Sequence, residues 1–206
     1  MVKNVIFDMG NVLIEWDPDK LIARLGVSGE DAKLLRREVF DGAEWVALDH
    51  GTMGPEQALP RILPRLPERL HAAAEHFVRF WWQEDFWPIE GIEALIRELD
   101  ALGYRLYILS NATSCLHEYF PRLPGSDRFR GLIVSADWKL LKPGAAIYEK
   151  LFAEYGLRAE ECFFIDDNPM NIETALCLGM QGAVFFRDMK RLRRELRAAG
   201  IPVQAE

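Results

Sequence analysis

A continuous apolar run that ends in a single carboxylate constrains the fold of this chain more than any other stretch. Val5, Ile6 and Phe7 precede Asp8, and a turn that contains Gly10 follows. A short apolar run bounded by turn residues is typical of a strand that is covered on both faces of a parallel sheet. Open α/β sheets bind their ligands at the carboxyl ends of the strands, which is where Asp8 stands. Asp8 is therefore a candidate functional residue, although a turn or helix-capping role fits this stretch alone equally well.

Further along the chain, apolar runs alternate with amphipathic helices. Strands are predicted at residues 104–109, 131–135, 162–165 and 182–186. Helices are predicted at residues 92–102, 112–120, 145–155, 169–178 and 189–199. Strands that alternate with helices indicate parallel βαβ units joined by right-handed crossovers. The chain is therefore predicted to adopt an α/β fold around a parallel sheet.

Residues 16–88 interrupt this alternation, because they contain no convincing strand. Helices are predicted there at residues 19–26, 28–40 and 70–83. We therefore predict an α/β core domain formed by residues 1–15 and 89–206. Residues 16–88 are predicted to form a helical domain inserted between the first strand and the second.

The composition supports one well-packed core and argues against several kinds of partner. The chain has 206 residues, half of them hydrophobic, and a net charge of -7, whereas nucleic-acid binding needs a basic face. The three cysteines form no CxxC pair, which favours a reducing compartment. The sequence shows neither a signal-peptide pattern nor an apolar stretch long enough to span a membrane. We expect a soluble cytoplasmic protein that binds neither nucleic acid nor membrane.

Polar and charged residues stand at or just past the predicted strand ends. They are Asp8, Ser110, Asn111, Lys142, Asp166 and Asp167. The carboxyl ends of parallel strands share one edge of a doubly wound sheet, so these side chains are expected around one crevice. Three carboxylates repel one another unless a cation intervenes, and Lys142 alone does not neutralise them. Oxygen ligands without a histidine or cysteine cluster select a hard cation, and few protein ligands plus several waters suit Mg²⁺.

A site that holds Mg²⁺ and a lysine is suited to bind an anion such as phosphate. Ser110 and the backbone amides around Asn111 stand at a predicted helix N-terminus, where they can donate hydrogen bonds to phosphate oxygens. Asp8 is then placed to attack phosphorus and to form an aspartyl-phosphate. Taken singly, Ser110 also fits a helix cap and Lys142 a surface lysine. Their joint occurrence, in order and after apolar strands, favours the catalytic interpretation.

Four segments carry a resemblance to a known family. They read VIFDMGNVL, YILSNA, LLKPGAAIY and FFIDDNPMNI, and together they frame nearly the whole chain. In order and spacing the chain resembles the haloacid dehalogenase superfamily, and the helical insert stands where that family carries a small α-helical cap. The FDMGNV variant with the ending FFIDDN most resembles the subgroup of small bacterial sugar-phosphate phosphatases, including those acting on α-glucose 1-phosphate. Residues 48–53 stand where that subgroup has a glycine-centred turn in the cap.

The resemblance implies a Rossmann-like parallel sheet of five strands in the order 5-4-1-2-3, with the first strand central. It also implies a metal site in which Asp8 is both nucleophile and Mg²⁺ ligand, and in which Gly10 lends its backbone carbonyl. Asp167 would be the principal metal carboxylate, with Asp166 beside it and Asn171 one helical turn further on. The choice between Asp166 and Asp167 as direct ligand stays open, with Asp167 preferred.

The resemblance assigns phosphate binding to further residues. Ser110 and Asn111 would bind the transferring phosphoryl group, and Lys142 would hold the phosphate and offset the charge of Asp8. The six tryptophans offer candidate substrate contacts, but at least four of them are predicted to be packing residues. Trp16 closely follows the nucleophile loop and is predicted to line the substrate pocket.

The chain departs from the family pattern at Gly10. Most phosphatases of the superfamily have a second aspartate at this place, which acts as general acid and base, a role that typically contributes ~10²–10⁴-fold in rate. Either the protein is slow or inactive, or its substrate has a good leaving group, such as an anomeric oxygen or a carboxylate. We favour the second explanation. Glu15, Asp17 and Asp166 are candidates to activate the hydrolytic water.

The sequence therefore predicts a Mg²⁺-dependent phosphatase that hydrolyses a small phosphorylated metabolite, with sugar phosphates first, through an aspartyl-phosphate on Asp8. A catalytically weak or inactive binding or regulatory protein is the main alternative, because of Gly10. A metal-independent 2-haloacid dehalogenase is less favoured, since such relatives usually have tyrosine in place of Gly10 and the Asp166–Asp167 pair favours a metal. A phosphomutase would also need the missing acid and base.

Overall fold

The predicted strands form one parallel five-stranded sheet. The computed structural model describes residues 1–84 and 86–205. The strands are β1 (Asn4–Phe7), β2 (Arg105–Ser110), β3 (Phe129–Val134), β4 (Cys162–Asp166) and β5 (Gln181–Val184). Their order across the sheet is β3-β2-β1-β4-β5. The predicted order is confirmed, since 5-4-1-2-3 is the same order read from the opposite edge.

The central position of β1 brings three strand ends together. Phe7 of β1 pairs with Ile108 of β2 on one side and with Ile165 of β4 on the other. All of these pairings are parallel. The residues that follow β1, β2 and β4 therefore emerge at the same edge of the sheet, as expected for an open α/β fold.

Both faces of the central strand β1 are covered, which explains the unbroken apolar run from Val5 to Phe7. Val5 and Phe7 belong to a hydrophobic cluster that also contains Phe77 of the inserted region. Ile6, between them, points into a second cluster together with Tyr148 and Phe164. Successive residues of a strand face opposite sides of a sheet, so a strand buried on both sides needs apolar side chains throughout.

Helices surround the sheet on both sides and fill the region between β1 and β2. Before β2 the described residues contain α1 (Pro18–Arg24), α2 (Gly29–Leu35), α3 (Ala43–Asp49), α4 (Pro55–Ile62), α5 (His71–Phe80) and α6 (Ile92–Ala101). After β2 they contain α7 (Leu116–Tyr119), α8 (Ser135–Trp138), α9 (Ala145–Tyr155), α10 (Pro169–Cys177) and α11 (Met189–Ala198). A π-helical turn, Arg36–Phe40, prolongs α2.

Polar residues start two of the helices that border the strand ends. The Asp17 carboxylate accepts hydrogen bonds from the backbone amides of Asp19 and Lys20 at the start of α1. Asn168 accepts a hydrogen bond from the amide of Met170 and precedes Pro169, the first residue of α10. Both arrangements satisfy amides that a helix leaves unpaired at its N-terminus. The Asn168 cap is confirmed as the sequence predicts.

The chain enters and leaves the inserted region through two adjacent segments. The amide of Glu15 donates to the carbonyl of Trp87 at 2.7 Å, and the amide of Ile89 donates to the carbonyl of Leu13 at 3.0 Å. Within the described part of residues 16–88 there is no strand, only an isolated bridge at Pro88. The division into a core domain, residues 1–15 and 89–206, and a cap domain, residues 16–88, stays a prediction.

The predicted start of the helix at residues 112–120 is wrong: α7 begins at Leu116. The residues before it are held by other partners: the amide of Ala112 donates to the Ser135 hydroxyl at 2.8 Å. The Asn111 side chain bonds to the backbone of Lys142. These tertiary contacts keep the segment out of the helix, so no helix N-terminus lies at Asn111.

The three cysteines, Cys115, Cys162 and Cys177, are all free thiols. Among the described helices, none combines the length and the apolar character that a crossing of a lipid bilayer requires.

Candidate active site

A cavity of about 210 Å³ lies at the carboxyl ends of the strands, beneath helices of the inserted region. Its lining includes all but one of the residues that the sequence predicts as nucleophile, Mg²⁺ ligands or substrate contacts: Asp8, Gly10, Trp16, Ser110, Asn111, Lys142 and Asp167. The exception is Asp166, which lies behind this lining and is fully buried. The strand ends therefore bring together groups that are up to 159 residues apart in the sequence, as Asp8 and Asp167 are.

Lys142 lies at the centre of the charged groups. Its Nζ donates to Asp8 Oδ1 at 2.8 Å and to Asp166 Oδ2 at 2.7 Å. A third hydrogen bond, of 2.8 Å, goes to the carbonyl of Leu109. The ammonium thus uses all three of its donors within the protein. Lys142 therefore holds the two carboxylates in place.

Burial and the neighbouring carboxylates shift the pKa of Lys142 in opposite directions. Burial lowers the pKa of Lys142, but the carboxylates of Asp8 and Asp166 outweigh it and the net pKa is raised. Burial raises the pKa of Asp8 to about 7, although Lys142 pulls it down. Three carboxylates against one ammonium leave an excess of negative charge. An added cation would favour the ionised form of Asp8.

Asp166 has no capacity left for a further ligand. Its two oxygens accept hydrogen bonds from Lys142, from the amide of Asn168 at 2.8 Å and from Asn171 Nδ2 at 2.9 and 3.0 Å. Such a carboxylate is held in a single orientation and holds Lys142 in turn.

Asp167 differs from its neighbour, because it accepts one hydrogen bond only, from Asn11 Nδ2 at 3.0 Å. It is half-buried, and burial raises its pKa. Its carboxylate also lines the cavity. Of the two adjacent aspartates, Asp167 is therefore the one with a free oxygen for a ligand.

The donor set fits a hard divalent cation. One carboxylate oxygen from each of Asp8, Asp166 and Asp167 lies within 4.8 Å of the others. The buried Asn171 Oδ1 has no hydrogen-bond partner in the described part of the chain and lines the same cavity. An all-oxygen set without histidine or cysteine suits Mg²⁺ better than a softer metal.

The residues predicted to bind phosphate take two different roles. Ser110 is buried, and its hydroxyl makes no hydrogen bond to any described residue. The Asn111 side chain bonds in both directions with the Lys142 backbone, Nδ2 to the carbonyl at 2.9 Å and Oδ1 from the amide at 2.8 Å. Asn111 therefore positions the Lys142 segment through its side chain, and Ser110 keeps a free donor.

Aromatic rings close the side of the cavity away from the sheet. Trp16 packs against Trp45, with ring centroids 5.6 Å apart, and against Trp81 at 4.7 Å. All three line the cavity. The prediction that at least four of the six tryptophans are packing residues is confirmed, because Trp81 belongs to the hydrophobic core and three more tryptophans pack against it, Trp45, Trp82 and Trp87. Trp45 and Trp81 line the cavity as well, which the sequence predicts for Trp16 alone. Trp138, by contrast, is exposed outside the cavity.

Two further residues of the site are not predicted as site residues from the sequence, although Asp49 lies within the cap turn at residues 48–53 that the resemblance marks. Asn11 has a positive φ of 58°, a conformation that asparagine adopts more readily than most residues. Its side chain accepts from the Trp16 amide and from Arg187 while it donates to Asp167. Asp49, at the end of α3, lines the cavity from the inserted region.

The two surface carboxylates proposed as water activators are engaged elsewhere. Glu15 pairs with Lys20 at 2.5 Å and with Arg187 at 2.6 Å, and the hydrogen bond from Lys20, followed by that from Arg187, lowers its pKa. Asp17 caps α1. Neither residue is part of the cavity lining.

Comparison with known proteins finds phosphatases among the similar sequences. A sesquiterpene phosphatase from Aspergillus oryzae is 27% identical over 183 residues, which cover 87% of this chain and 88% of that protein. A D-ribitol-5-phosphate phosphatase from Bacteroides thetaiotaomicron is 22% identical over 193 residues, covering 88% and 90%.

The fold is likewise similar to a solved structure of a haloacid dehalogenase family enzyme from Bacteroides thetaiotaomicron in complex with magnesium and inorganic phosphate. The TM-score is 0.67 at 20% identity, over 93% of this chain and 99% of that one. A family model of haloacid dehalogenase-like hydrolases matches residues 2–179. Since that match spans most of the sequence, the chain belongs to the haloacid dehalogenase-like hydrolases.

Proposed function

We propose that this chain is a Mg²⁺-dependent phosphatase that hydrolyses small phosphorylated metabolites, with sugar phosphates first, through an aspartyl-phosphate on Asp8. The observation that carries the proposal is the bridge of Lys142 between Asp8 and Asp166, with Asp167 beside them in one cavity. The phosphatase relatives and the fold match to an enzyme solved with magnesium and phosphate support the same reaction class.

Asp8, Asp167 and the backbone carbonyl of Gly10 are the groups we assign to hold Mg²⁺. Asp166 stays beside them as the residue that orients Lys142, because its own oxygens are already occupied. When bound, Mg²⁺ supplies positive charge next to the phosphate oxygens and the Asp8 carboxylate.

The nucleophile is Asp8 in its ionised form. Lys142 holds Asp8 Oδ1 at 2.8 Å, which limits rotation of the carboxylate and favours its charge. The carboxylate attacks phosphorus, forms an acyl phosphate and releases the leaving group, and water then hydrolyses that intermediate. Fixed charges around the phosphoryl group stabilise the transition state, because they are already oriented and need little reorganisation during transfer.

The phosphoryl group is bound between the strand ends. The Ser110 hydroxyl is free to donate to one of its oxygens, and Asn111 maintains the position of Lys142. The rest of the substrate extends toward Trp16, Trp45 and Trp81. A cavity of about 210 Å³ is small by the standard of ligand sites, which favours a small metabolite.

The proposal is tested by assaying the purified chain against a panel of phosphorylated metabolites, with Mg²⁺ and with EDTA. Wild-type protein is expected to release phosphate from at least one sugar phosphate in the presence of Mg²⁺ only. Asp8→Asn is expected to fold as the wild type does and to lose turnover by on the order of 10⁴-fold or more. Full activity of Asp8→Asn would exclude the aspartyl-phosphate.

The same panel, together with a haloacetate, separates the alternatives. A binding or regulatory protein would retain ligand without turnover of any phosphate. A 2-haloacid dehalogenase would release halide from a haloacetate in EDTA, and a phosphomutase would move phosphate to a second sugar position without releasing it.

A further inference from the structure

We infer that Asp49 of the inserted region is the acid that protonates the leaving oxygen of the substrate, in the role for which Gly10 has no side chain. The inference rests on the proposed phosphatase function and names a residue for a step which that function leaves open.

The position of Asp49 places it on the leaving-group side of the cavity. Asp49 ends α3 and lines the same cavity as Asp8 and Lys142. The phenol of Tyr119 interacts electrostatically with both Asp49 and Asp8. The two residues therefore line one cavity, Asp8 from the end of a strand and Asp49 from the end of an inserted helix.

Asp49 is also the carboxyl of the cavity lining that has no partner. Asp8 is bonded to Lys142, and Asp167 is bonded to Asn11. The Asp49 side chain makes no hydrogen bond or ion pair within residues 1–84 and 86–205, whereas Glu44, on the same helix, pairs with Arg65 at 2.8 Å. An enclosed carboxyl without a partner is costly in its ionised form and is expected to keep its proton or to bind a ligand group.

The protonation state of Asp49 suits a proton donor. Burial raises the pKa of Asp49 to about 8, so the carboxyl carries its proton at neutral pH. The titratable groups that line the cavity with Asp49 are Asp8, Tyr119, Lys142 and Asp167. A general acid works best when its pKa lies near the operating pH.

Backbone contacts to the core hold Asp49 in place. The Ser135 hydroxyl donates to the carbonyl of Asp49 at 2.5 Å, and His50 Nε2 lies 2.8 Å from the carbonyl of Lys139. Gly51, with a φ of +70°, approaches so closely that an added Cβ would lie 2.1 Å from the carbonyl oxygen of Ala136. The end of α3 is therefore fixed against the segment that follows β3, and Asp49 does not depend on a mobile loop for its position.

The proton moves in a balanced cycle. In the first step an Asp8 oxygen forms a bond to phosphorus while the bond between phosphorus and the leaving oxygen breaks. The electron pair of that bond stays on the leaving oxygen, which takes the Asp49 proton and departs as a hydroxyl group. In the second step water attacks phosphorus, gives one proton to the Asp49 carboxylate and releases phosphate from Asp8. Asp49 ends the cycle protonated again.

The experiment compares two leaving groups in the full-length protein with Mg²⁺. An alkyl phosphate taken from the metabolite panel needs its leaving oxygen protonated, whereas p-nitrophenyl phosphate releases a stable anion. For Asp49→Asn we expect kcat/KM to fall by ~10²–10⁴-fold on the alkyl phosphate and by less than about 10-fold on p-nitrophenyl phosphate. The ratio kcat/KM is chosen because it reports the steps through cleavage of the bond to the leaving group. Asp41→Asn, an exposed aspartate of the inserted region, is the matched control and should leave both values unchanged.

Each outcome of this experiment either supports or contradicts the role of Asp49. An equal fall on both substrates in a variant whose circular dichroism matches the wild type, or no fall on either, overturns the role of Asp49 and leaves the phosphatase in place. A wild-type protein that cleaves only esters with good leaving groups, such as p-nitrophenyl phosphate, also overturns the role of Asp49 and leaves the phosphatase in place. A wild type that cleaves no phosphate at all overturns the proposed function itself. Circular dichroism of Asp49→Asn shows whether a loss on both substrates reflects unfolding.

Discussion

The two walls of the cavity are built in opposite ways. On the sheet side the charged groups are paired: Lys142 uses its three donors and Asp166 accepts from three residues. On the side of the inserted helices the wall consists of Trp16, Trp45, Trp81 and the unpaired Asp49.

A wall in which Lys142 and Asp166 are held by paired charges is preorganised, and it suits a group that is the same in every substrate, such as phosphate. An apolar wall with one unpaired acid suits the part of the substrate that varies. The difference supports phosphoryl binding and transfer on the sheet side, with substrate selection and the proposed acid, Asp49, on the side of the inserted region. Four tests address this comparison.

The largest effect is expected on the paired wall. Lys142→Met leaves Asp8 and Asp166 without their cation, so the free energy of unfolding should fall by about 3–5 kcal/mol, as when one partner of a buried pair is removed. Urea unfolding in EDTA measures the change, with Lys190→Met at an exposed position as control. A fall below about 1 kcal/mol, the size of a surface ion pair, would show that the wall is not preorganised by charge pairing.

The second change separates the two adjacent aspartates. Asp167→Asn removes the carboxylate with a free oxygen, and the dissociation constant for Mg²⁺ should rise by more than about 100-fold. Asp166→Asn disturbs an orienting residue, for which a rise of about 10–100-fold is typical. Calorimetric titration of Mg²⁺ without phosphate measures both values. The reverse order would make Asp166 the direct ligand.

The third test concerns the unpaired acid. The pKa of Asp49 is raised by burial to about 8, so between about pH 4 and pH 8 the folded protein binds a proton that the unfolded chain has lost. Stability from this group is therefore present at low pH and is lost as pH rises toward 8. Asp49→Asn lacks the effect, and its stability relative to the wild type should rise by about 1 kcal/mol per pH unit in that window.

Urea unfolding at pH 6.0, 6.8 and 7.5 follows this trend, and Asp41→Asn should show no trend relative to the wild type. A constant offset between Asp49→Asn and the wild type across the three pH values would mean that Asp49 is ionised in the folded protein.

The smallest effect is expected on the aromatic part of the wall. Trp45→Leu removes one ring from the cavity, and aromatic contacts of this kind contribute about 0.5–1.5 kcal/mol beyond their buried area. KM for the preferred substrate should rise about 2–10-fold while kcat changes little. Trp138→Leu, at an exposed position outside the cavity, is the control. A fall in kcat without a change in KM would place Trp45 in the chemistry instead of in selection.

The sequence by itself determined the sheet and its reactive edge. Buried parallel strands need unbroken apolar runs, so the runs that end at Asp8, Ser110 and Asp166 were readable without a structure. Parallel crossovers then place those ends at one edge, which predicted the meeting of Asp8, Lys142 and Asp167. The order of the strands came from the resemblance to a family.

Only the tertiary structure decided what each side chain does at that edge. It showed that Asp166 is saturated, that Asn111 holds the Lys142 backbone, and that α7 starts four residues late. It also brought Asp49, Trp45 and Trp81 to the cavity from separate helices of the inserted region. Local periodicity records which face of a helix is buried, but not which distant group that face meets. Hydrogen-bond capacity and spatial neighbours are properties of the folded chain. They are the basis for proposing Asp167 as the Mg²⁺ ligand and Asp49 as the acid.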